Sequence, residues 1–318
     1  MKEIQVPILL IGFNRPQYIR KIINRLSEIK PQKLYISIDG ARKNRNEDQA
    51  LIEEVKSIVK NINWPCETHY LFHENNVGAE VNVSNAISWV LKKEEYVIVN
   101  EDDILAPYSF YRFMQDMLIK YKDNERIAMV SGNNFTEKYK MKYGDYCFAK
   151  YGHIHGWATW KRVWDKYNLN EQIENKYIEL DFLIENSANK EIACQLQKTY
   201  QQIKVNKAYQ TWDYIFSYFR RKNGLLSIIP QKHLTCNIGI YGLHHNGFNY
   251  TFHMRKVDEN FIATRHPQNV IWDKSYDIYH YNHYINPSWF QKKINSLKNR
   301  YLSHFKYNKG YIDKFFSE

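Results

Sequence analysis

The chain has 318 residues, 44% hydrophobic and 25% charged, with a formal net charge of +11 and a pI of about 9.2. That is an ordinary globular composition, long enough for one large domain or a domain with an appendage; no run approaches membrane-spanning length, and four scattered cysteines (Cys66, Cys147, Cys194, Cys236) form no CxxC pair or metal-finger spacing and read as reduced packing thiols. The positive balance points to anionic partners, whether nucleic acid, an anionic membrane face or phosphorylated small molecules, and the 16% aromatic content, with 26 Tyr, does not choose among them.

Met1 to Pro7 lacks the apolar core and small-residue cleavage site of a signal peptide, so a cytoplasmic location is expected. Val6 to Phe13 then reads as a first buried strand, an apolar run ending at Gly12. Asn14-Arg15-Pro16 opens a helix with Pro near its first turn, and Ile19, Ile22, Ile23, Leu26 and Ile29 give it one apolar face. Lys33 to Gly40 is a second strand ending in Asp39, followed by a helix from about Asp48 to Asn61. Thr68 to Phe72 is a third strand, and Asn75-Asn76-Val77-Gly78 turns into a third helix carrying Val81, Val83, Ile87 and Val90. A fourth strand, Tyr96 to Val99, runs into Asn100-Glu101-Asp102-Asp103. After a helix with Phe110, Phe113, Met114 and Met117, Ile127 to Gly132 forms a fifth strand.

Alternating strands and helices with such connections predict an α/β fold with a mostly parallel central sheet. The strand ends carry Asn14-Arg15, Asp39, Asn75-Asn76 and the three acids, all on one sheet edge, where open α/β sheets bind ligands. Three adjacent acids repel one another unless a cation or a proton relieves them. Carboxylates so placed suit Mn²⁺ or Mg²⁺ that takes its remaining oxygens from water and a substrate diphosphate, although Asp and Asn also favour plain surface turns. No GxGxxG follows the first strand and no GxxxxGK[ST] occurs, which removes support for dinucleotide oxidoreductases and P-loop enzymes.

Farther on, Gly152 to Trp160 reads as a glycine- and aromatic-rich loop opening a helix that contains Trp164, followed by a polar helical region from roughly Asn168 to Lys207. Thr211-Trp212-Asp213-Tyr214 opens another helix and Leu225 to Pro230 a late strand. From about Thr251 the chain is basic, aromatic and irregular, ending in an amphipathic helix, Trp289 to Phe305. This divides it into a catalytic domain, 1–250, and an extension, 251–318.

Taken in order, these segments resemble the GT-A-fold glycosyltransferases, in particular the N-acetylglucosaminyltransferase I group and its bacterial nucleotide-diphospho-sugar transferase relatives. The resemblance covers roughly residues 5–250. Ile11 to Pro16 is similar to the family's strand-Asn-Arg turn at the nucleoside, Ile36 to Gly40 to the strand whose Asp pairs with uracil, and Val99 to Pro107 to its EDD-x-x-x-P metal motif. It implies a divalent metal ligand in Asp103, with Asp102 orienting the metal and Glu101 facing the donor sugar. Gly156-Trp157 resembles a Gly-Trp loop at the sugar pocket. Trp212-Asp213, with Arg220, Gly224 and Pro230 after it, resembles the helix start that carries a catalytic base, and Asn237-Ile238-Gly239 with His245 resembles a segment near the diphosphate. The family's second acid after Trp-Asp is Tyr214 here, so the base has one candidate; residues after Thr251 match no pattern, so the acceptor is open.

Each residue keeps a structural alternative. Asp213 serves as general base or as a first-turn acid on the helix dipole. Arg15 and Asp39 meet the nucleotide or hold loops, while Trp157 and Trp212 stack on sugars or fill the core. His153-x-His155 lacks a third ligand and reads as a loop pair, and His244-His245 reach the diphosphate or lie in solvent. The resulting expectation is an inverting, metal-dependent enzyme moving a sugar such as GlcNAc from a UDP-sugar to a bacterial glycan, lipid-linked glycan or other glycoconjugate. The first alternative is a nucleotidyltransferase on the same fold, for which Gly12 to Pro16 is poor in glycine. The second, a nucleic-acid binder, lacks a recognisable module and a basic face free of acids. Lys292-Lys293, Lys298, Arg300, Lys306 and Lys309 among Trp289, Phe290, Tyr301 and Phe305 suit either an interfacial helix on the inner face of the plasma membrane or a helix packed on the catalytic domain.

Overall fold

A strand that is apolar at every position needs cover on both faces, and β1 (Ile8–Gly12) obtains it by lying inside a parallel array. In the computed structural model, which describes residues 2–206, 211–239 and 256–305, β1 pairs in parallel with β2 (Lys33–Ile38) on one side and β4 (Tyr96–Glu101) on the other. A further parallel strand, β3 (Glu67–Phe72), completes that end of the sheet. The crossovers are α1 (Pro16–Ile29), α2 (Asn46–Lys60) and α3 (Ala79–Leu91). The inward face of α1 is buried as its periodicity predicts, and Lys30, at φ 53°, ends it in the left-handed region.

Beyond β4 follow β5 (Ile104–Leu105), α4 (Tyr108–Lys120), β6 (Ile127–Ser131), β7 (Tyr146–Ala149), β8 (Trp157–Trp160) and α5 (Lys161–Trp164). Then come α6 (Leu180–Glu185), α7 (Lys190–Val205), α8 (Trp212–Lys222), β9 (Leu226–Pro230), β10 (Cys236–Asn237), α9 (Lys274–His280) and α10 (Trp289–Phe305). The sheet has eight strands in the order β3-β2-β1-β4-β8-β6-β9-β7. It is mixed: β8 runs antiparallel between β4 and β6, β7 runs antiparallel to β9, and the remaining pairs are parallel. This is the Rossmann-like α/β architecture expected.

One expectation fails in the second half. Residues 157–160 form a central strand and not the end of a loop. The glycines flanking them suggest a loop, but Trp157, Ala158, Thr159 and Trp160 are all buried because helices cover both faces there. The polar region expected to be helical from Asn168 onward is helical in pieces. It breaks into a short 3₁₀ turn, α6 and α7, which make a small core of their own from Ile173, Leu183, Tyr200 and Ile203 with Ile215 and Tyr218 of α8.

Residues 264–280 of the extension pack against the β7 end of the sheet. Asp145 accepts hydrogen bonds from the backbone of Thr264 and Arg265 and pairs with the Arg265 guanidinium at 3.0 Å. Trp272 forms a bridge with Phe148. All four cysteines are free. Among the described residues, no helix is long and apolar enough to cross a membrane.

Candidate active site

Because β1, β2, β3 and β4 are parallel, their carboxyl ends open on one edge, and the structure brings Arg15, Glu101, Asp102 and Asp103 together there. Arg15 leaves the end of β1 and forks across two acids. Its Nε donates to Asp102 Oδ2 at 3.1 Å, its Nη2 pairs with Asp102 Oδ1, and its Nη1 reaches Asp103 Oδ2 at 3.3 Å. Burial disfavours the Arg15 charge, but Asp102 and Asp103 outweigh it and hold the guanidinium protonated. Asp102, 2% exposed, also accepts from the backbone of Phe13 at 3.4 Å. Burial pushes its carboxyl up, with Arg15 pulling the other way. Glu101 rises farther, to about 8, through burial and then the charges of Asp103 and Asp102. At neutral pH the trio is therefore not three full negative charges.

The acidic turn is anchored by Asn100, whose Nδ2 donates to the Ile104 carbonyl at 2.9 Å. On its other side, β10 pairs with β5, and the Ile238 N–H donates to the Asp103 carbonyl at 2.7 Å. Gly239 then lies so close that a Cβ on it would stand 2.7 Å from Asp103 Oδ2 and 2.8 Å from Asp103 Cβ. The Asn237-Ile238-Gly239 segment thus walls the acid expected to ligate metal. His244 and His245 lie outside the described residues.

Asp213 sits in the first turn of α8, near enough to Glu101 for its charge to help raise that carboxyl. Its Oδ1 accepts from the Thr211 hydroxyl. The start of α8 is held from two sides. Glu80, in the first turn of α3, accepts from the Trp212 N–H across 132 residues of chain, and the Tyr167 hydroxyl donates to the Trp212 carbonyl at 3.0 Å.

The two tryptophans take the core alternative. Trp157 is wholly buried and stacks on Trp212 with centroids 5.7 Å apart, so neither ring face is open to a sugar at that contact. Gly156, at φ +81°, is needed where it is, since a Cβ would meet Thr235 Cγ2 at 2.7 Å. Asp39 is buried and accepts from the backbone of Gly40, Val77 and Gly78 and from Asn76, all within 3.0 Å. It ties the end of β2 to the turn before α3, and a nucleobase would have to share these oxygens.

Sequence reasoning missed Asp48, Glu80 and Asn100. Asp48 is fully buried and receives Asn14 Nδ2 at 2.7 Å and the Arg42 fork at 2.6 and 2.8 Å, with Arg42 lying 5.3 Å over the Phe13 ring. It braces the turn from which Arg15 projects. The one available signal was Asn100 within the acidic motif itself. Asp48 and Glu80 look in sequence like ordinary first-turn acids.

The donor set suits a hard cation in kind, since Asp103 offers a part-exposed carboxylate beside Asp102. Among the described residues, no three His, Cys, Asp or Glu side chains are arranged to hold a metal by themselves. A cation here would draw its other oxygens from a bound diphosphate and water.

The chain matches no protein-family model and no curated protein sequence. Among solved structures it is similar to a mannosyltransferase from Pyrobaculum calidifontis in complex with GDP-Man and Mn2+, at 10% identity and TM-score 0.37, over 70% of this chain and 87% of that one. It is also similar to the 4-diphosphocytidyl-2C-methyl-D-erythritol synthase of Anaerococcus prevotii, at 11% identity and TM-score 0.34, over 54% of this chain and 82% of that one. Both likenesses are distant, and the reading of the site rests on this chain's own geometry.

Proposed function

We propose that this protein is a divalent-metal-dependent glycosyltransferase that takes a sugar from a nucleotide-sugar donor, with UDP-sugar as the first donor to test. The observation that carries this reading is the convergence of Arg15, Asp102 and Asp103 at the carboxyl edge of the parallel strands, with Asp213 close to Glu101. Arg15 and a cation held by Asp103 would face the donor diphosphate, and the cation would spread the charge that develops on the leaving phosphate. Glu101 would face the donor sugar. Asp213 would accept the proton of the attacking acceptor hydroxyl. One base without a second carboxylate nucleophile implies inversion at the anomeric carbon. Asp39 and the Phe13-Asn14 turn would receive the nucleoside, and the 237–239 segment would border the diphosphate.

The competing reading on the same edge is nucleotidyl transfer to make a nucleotide-sugar. It needs a glycine-rich loop after β1 that cradles a triphosphate, and Gly12-Phe13-Asn14-Arg15-Pro16 is poor in glycine, which favours glycosyl transfer.

Calorimetric titration of UDP, then GDP and CMP, with and without Mn²⁺ tests the reading. UDP binding that requires metal and disappears in Asp103→Ala is expected. A folded wild-type protein that binds no nucleotide would overturn it.

The acceptor side is proposed to work at an anionic membrane surface. The 17 residues of α10 contain no acid, and Phe290 and Leu297 stand well exposed on one stripe, with Trp289 exposed at its start and Lys292 and Lys293 beside them. Such a helix suits an anionic lipid interface. Flotation with vesicles containing phosphatidylglycerol should carry the full chain, and Phe290→Ser with Leu297→Ser should abolish it; flotation unaffected by the double substitution would refute membrane docking through α10.

A further inference from the structure

Three cations are buried away from the acidic edge, where α7, α8 and α9 cover the sheet. Lys150 follows β7, and Arg220 and Arg221 lie in the last turn of α8; none is more than 6% exposed. None of the three forms an ion pair with a carboxylate among the described residues. Each rests on an aromatic ring instead. Lys150 lies 4.3 Å from the Trp272 centroid, Arg221 4.8 Å from Tyr151 and Arg220 5.6 Å from Phe216.

Their side-chain hydrogen bonds go to neutral groups. Lys150 Nζ donates to the Asn186 carbonyl at 2.7 Å, and Arg220 donates to the Ser227 hydroxyl. The Arg221 side chain makes no hydrogen bond among the described residues. The Nε atoms of both arginines, and the hydroxyl of Ser187 next to Asn186, are sealed from solvent without a partner.

The single carboxylate in the cluster, Asp277, is committed to neutral donors: the backbone of Lys150 at 3.0 Å, that of Tyr151 at 3.3 Å and Trp272 Nε1 at 2.6 Å. Burial pushes the Asp277 carboxyl up, and Arg221 opposes it through space. Burial together with the charge of Arg221 lowers Lys150 to about 8 and Arg220 to about 10. Three cations against one carboxylate leave a surplus of two positive charges. Cation–π contacts offset such a surplus only in part, and buried charges are ordinarily paired. Outside the described residues the chain has only two acidic side chains, Asp313 and Glu318.

We propose that Lys150, Arg220 and Arg221 form a binding site for a phosphate-class dianion, separate from the donor edge and independent of the glycosyltransferase reading. Two adjacent guanidiniums bind such a group through parallel N–H···O bonds, and the ammonium adds a point charge. Ser187 supplies a hydroxyl donor from the α6–α7 turn. The charge of a phosphate monoester or of free phosphate matches the surplus.

The test titrates inorganic phosphate into the full chain, without divalent metal and with ionic strength held constant by chloride, reading heat and thermal unfolding. Saturable binding is expected, weakened at least tenfold in Arg221→Met and unchanged in Arg15→Met, which reports on the donor edge. Asp277→Asn should tighten it, because it removes the one competing negative charge. If Arg221→Met does not fold, Lys150→Met provides the same comparison. Glucose 1-phosphate run beside phosphate separates a carried phosphate group, which would bind more tightly, from the free ion. Phosphate that stabilises no more than chloride, or that binds Arg221→Met as it binds wild type, overturns the proposal. So does phosphate binding that emerges only in Asp313→Asn with Glu318→Gln, since the chain's own carboxylates would then be the partner.

Discussion

Replacing Asp48 by Asn is expected to destabilise the fold by about 2.5 kcal/mol at pH 7, and by about half as much at pH 3. The hydrogen bonds from Arg42 are the main cause that lowers the Asp48 carboxyl to about 2 from an ordinary value of 3.8, with burial opposing and Asn14 adding to the shift. A folded-state value below the unfolded one contributes stability above the unfolded pKa, and that stability is lost as pH falls through the folded value. At about 1.4 kcal/mol for each tenfold change in proton affinity, the shift is worth roughly 2.5 kcal/mol once both states are ionised. Arg42 keeps 28% of its side chain exposed, so it can turn to water when its partner is neutralised, and no buried charge is stranded to enlarge the effect. Urea unfolding midpoints of wild type and Asp48→Asn, measured at steps from pH 7 to pH 3, give the difference directly. A gap under about 0.5 kcal/mol at pH 7, or one that stays constant down to pH 3, would refute the reasoning. The same variant should weaken nucleotide binding, because Asp48 holds the Asn14 side chain and the Arg42 that covers Phe13.

Asp213→Asn should lower turnover by roughly 10²–10⁴-fold while leaving metal-dependent UDP binding intact, as measured by transferase assay and calorimetry; parallel loss of both would place Asp213 in donor binding. Glu80→Ala leaves the Trp212 N–H without its carboxylate and should destabilise the protein by about 1–3 kcal/mol in urea unfolding. Turnover should fall as well, with donor affinity kept, since Glu80 fixes the start of the helix that bears Asp213. Gly239→Ala drives a methyl group into Asp103 and should weaken metal-dependent UDP binding about tenfold, at a stability cost of about 1–3 kcal/mol from overpacking. Unchanged UDP affinity in that variant would separate the 237–239 segment from the metal position.

The parts of this fold that were legible in sequence are those set by local periodicity. Ile8 to Ile11 cannot face water on either side, and Ile19, Ile22, Ile23 and Leu26 repeat at helical spacing, so the first half declares its strands and crossovers. The acids at the end of β4 were legible for the same reason, because a buried strand that stops in Glu101-Asp102-Asp103 can stop only at a sheet edge. Residues 157–160 were not, since Trp-Ala-Thr-Trp is too short to show a period and becomes a strand only because β4 and β6 leave a gap for it.

What sequence could not supply is the neutralisation of charge at long range. Glu80 and Asp48 occupy first turns, where an acid needs no explanation beyond the helix dipole, yet their partners are Trp212 in one case and Asn14 with Arg42 in the other. Arg15 is the clearest instance. A reading of the acids alone sees mutual repulsion that a cation or a proton must relieve, without naming the cation. Folding turns Arg15 onto Asp102 and Asp103, while burial and then the charges of Asp103 and Asp102 push the Glu101 carboxyl up. The edge can therefore form before any cation arrives. A cation entering alone would compete with the Arg15 fork for the same oxygens, whereas one arriving with a diphosphate would give Arg15 new oxygens to turn to. Metal and nucleotide would then each bind more tightly in the presence of the other, and by the same factor.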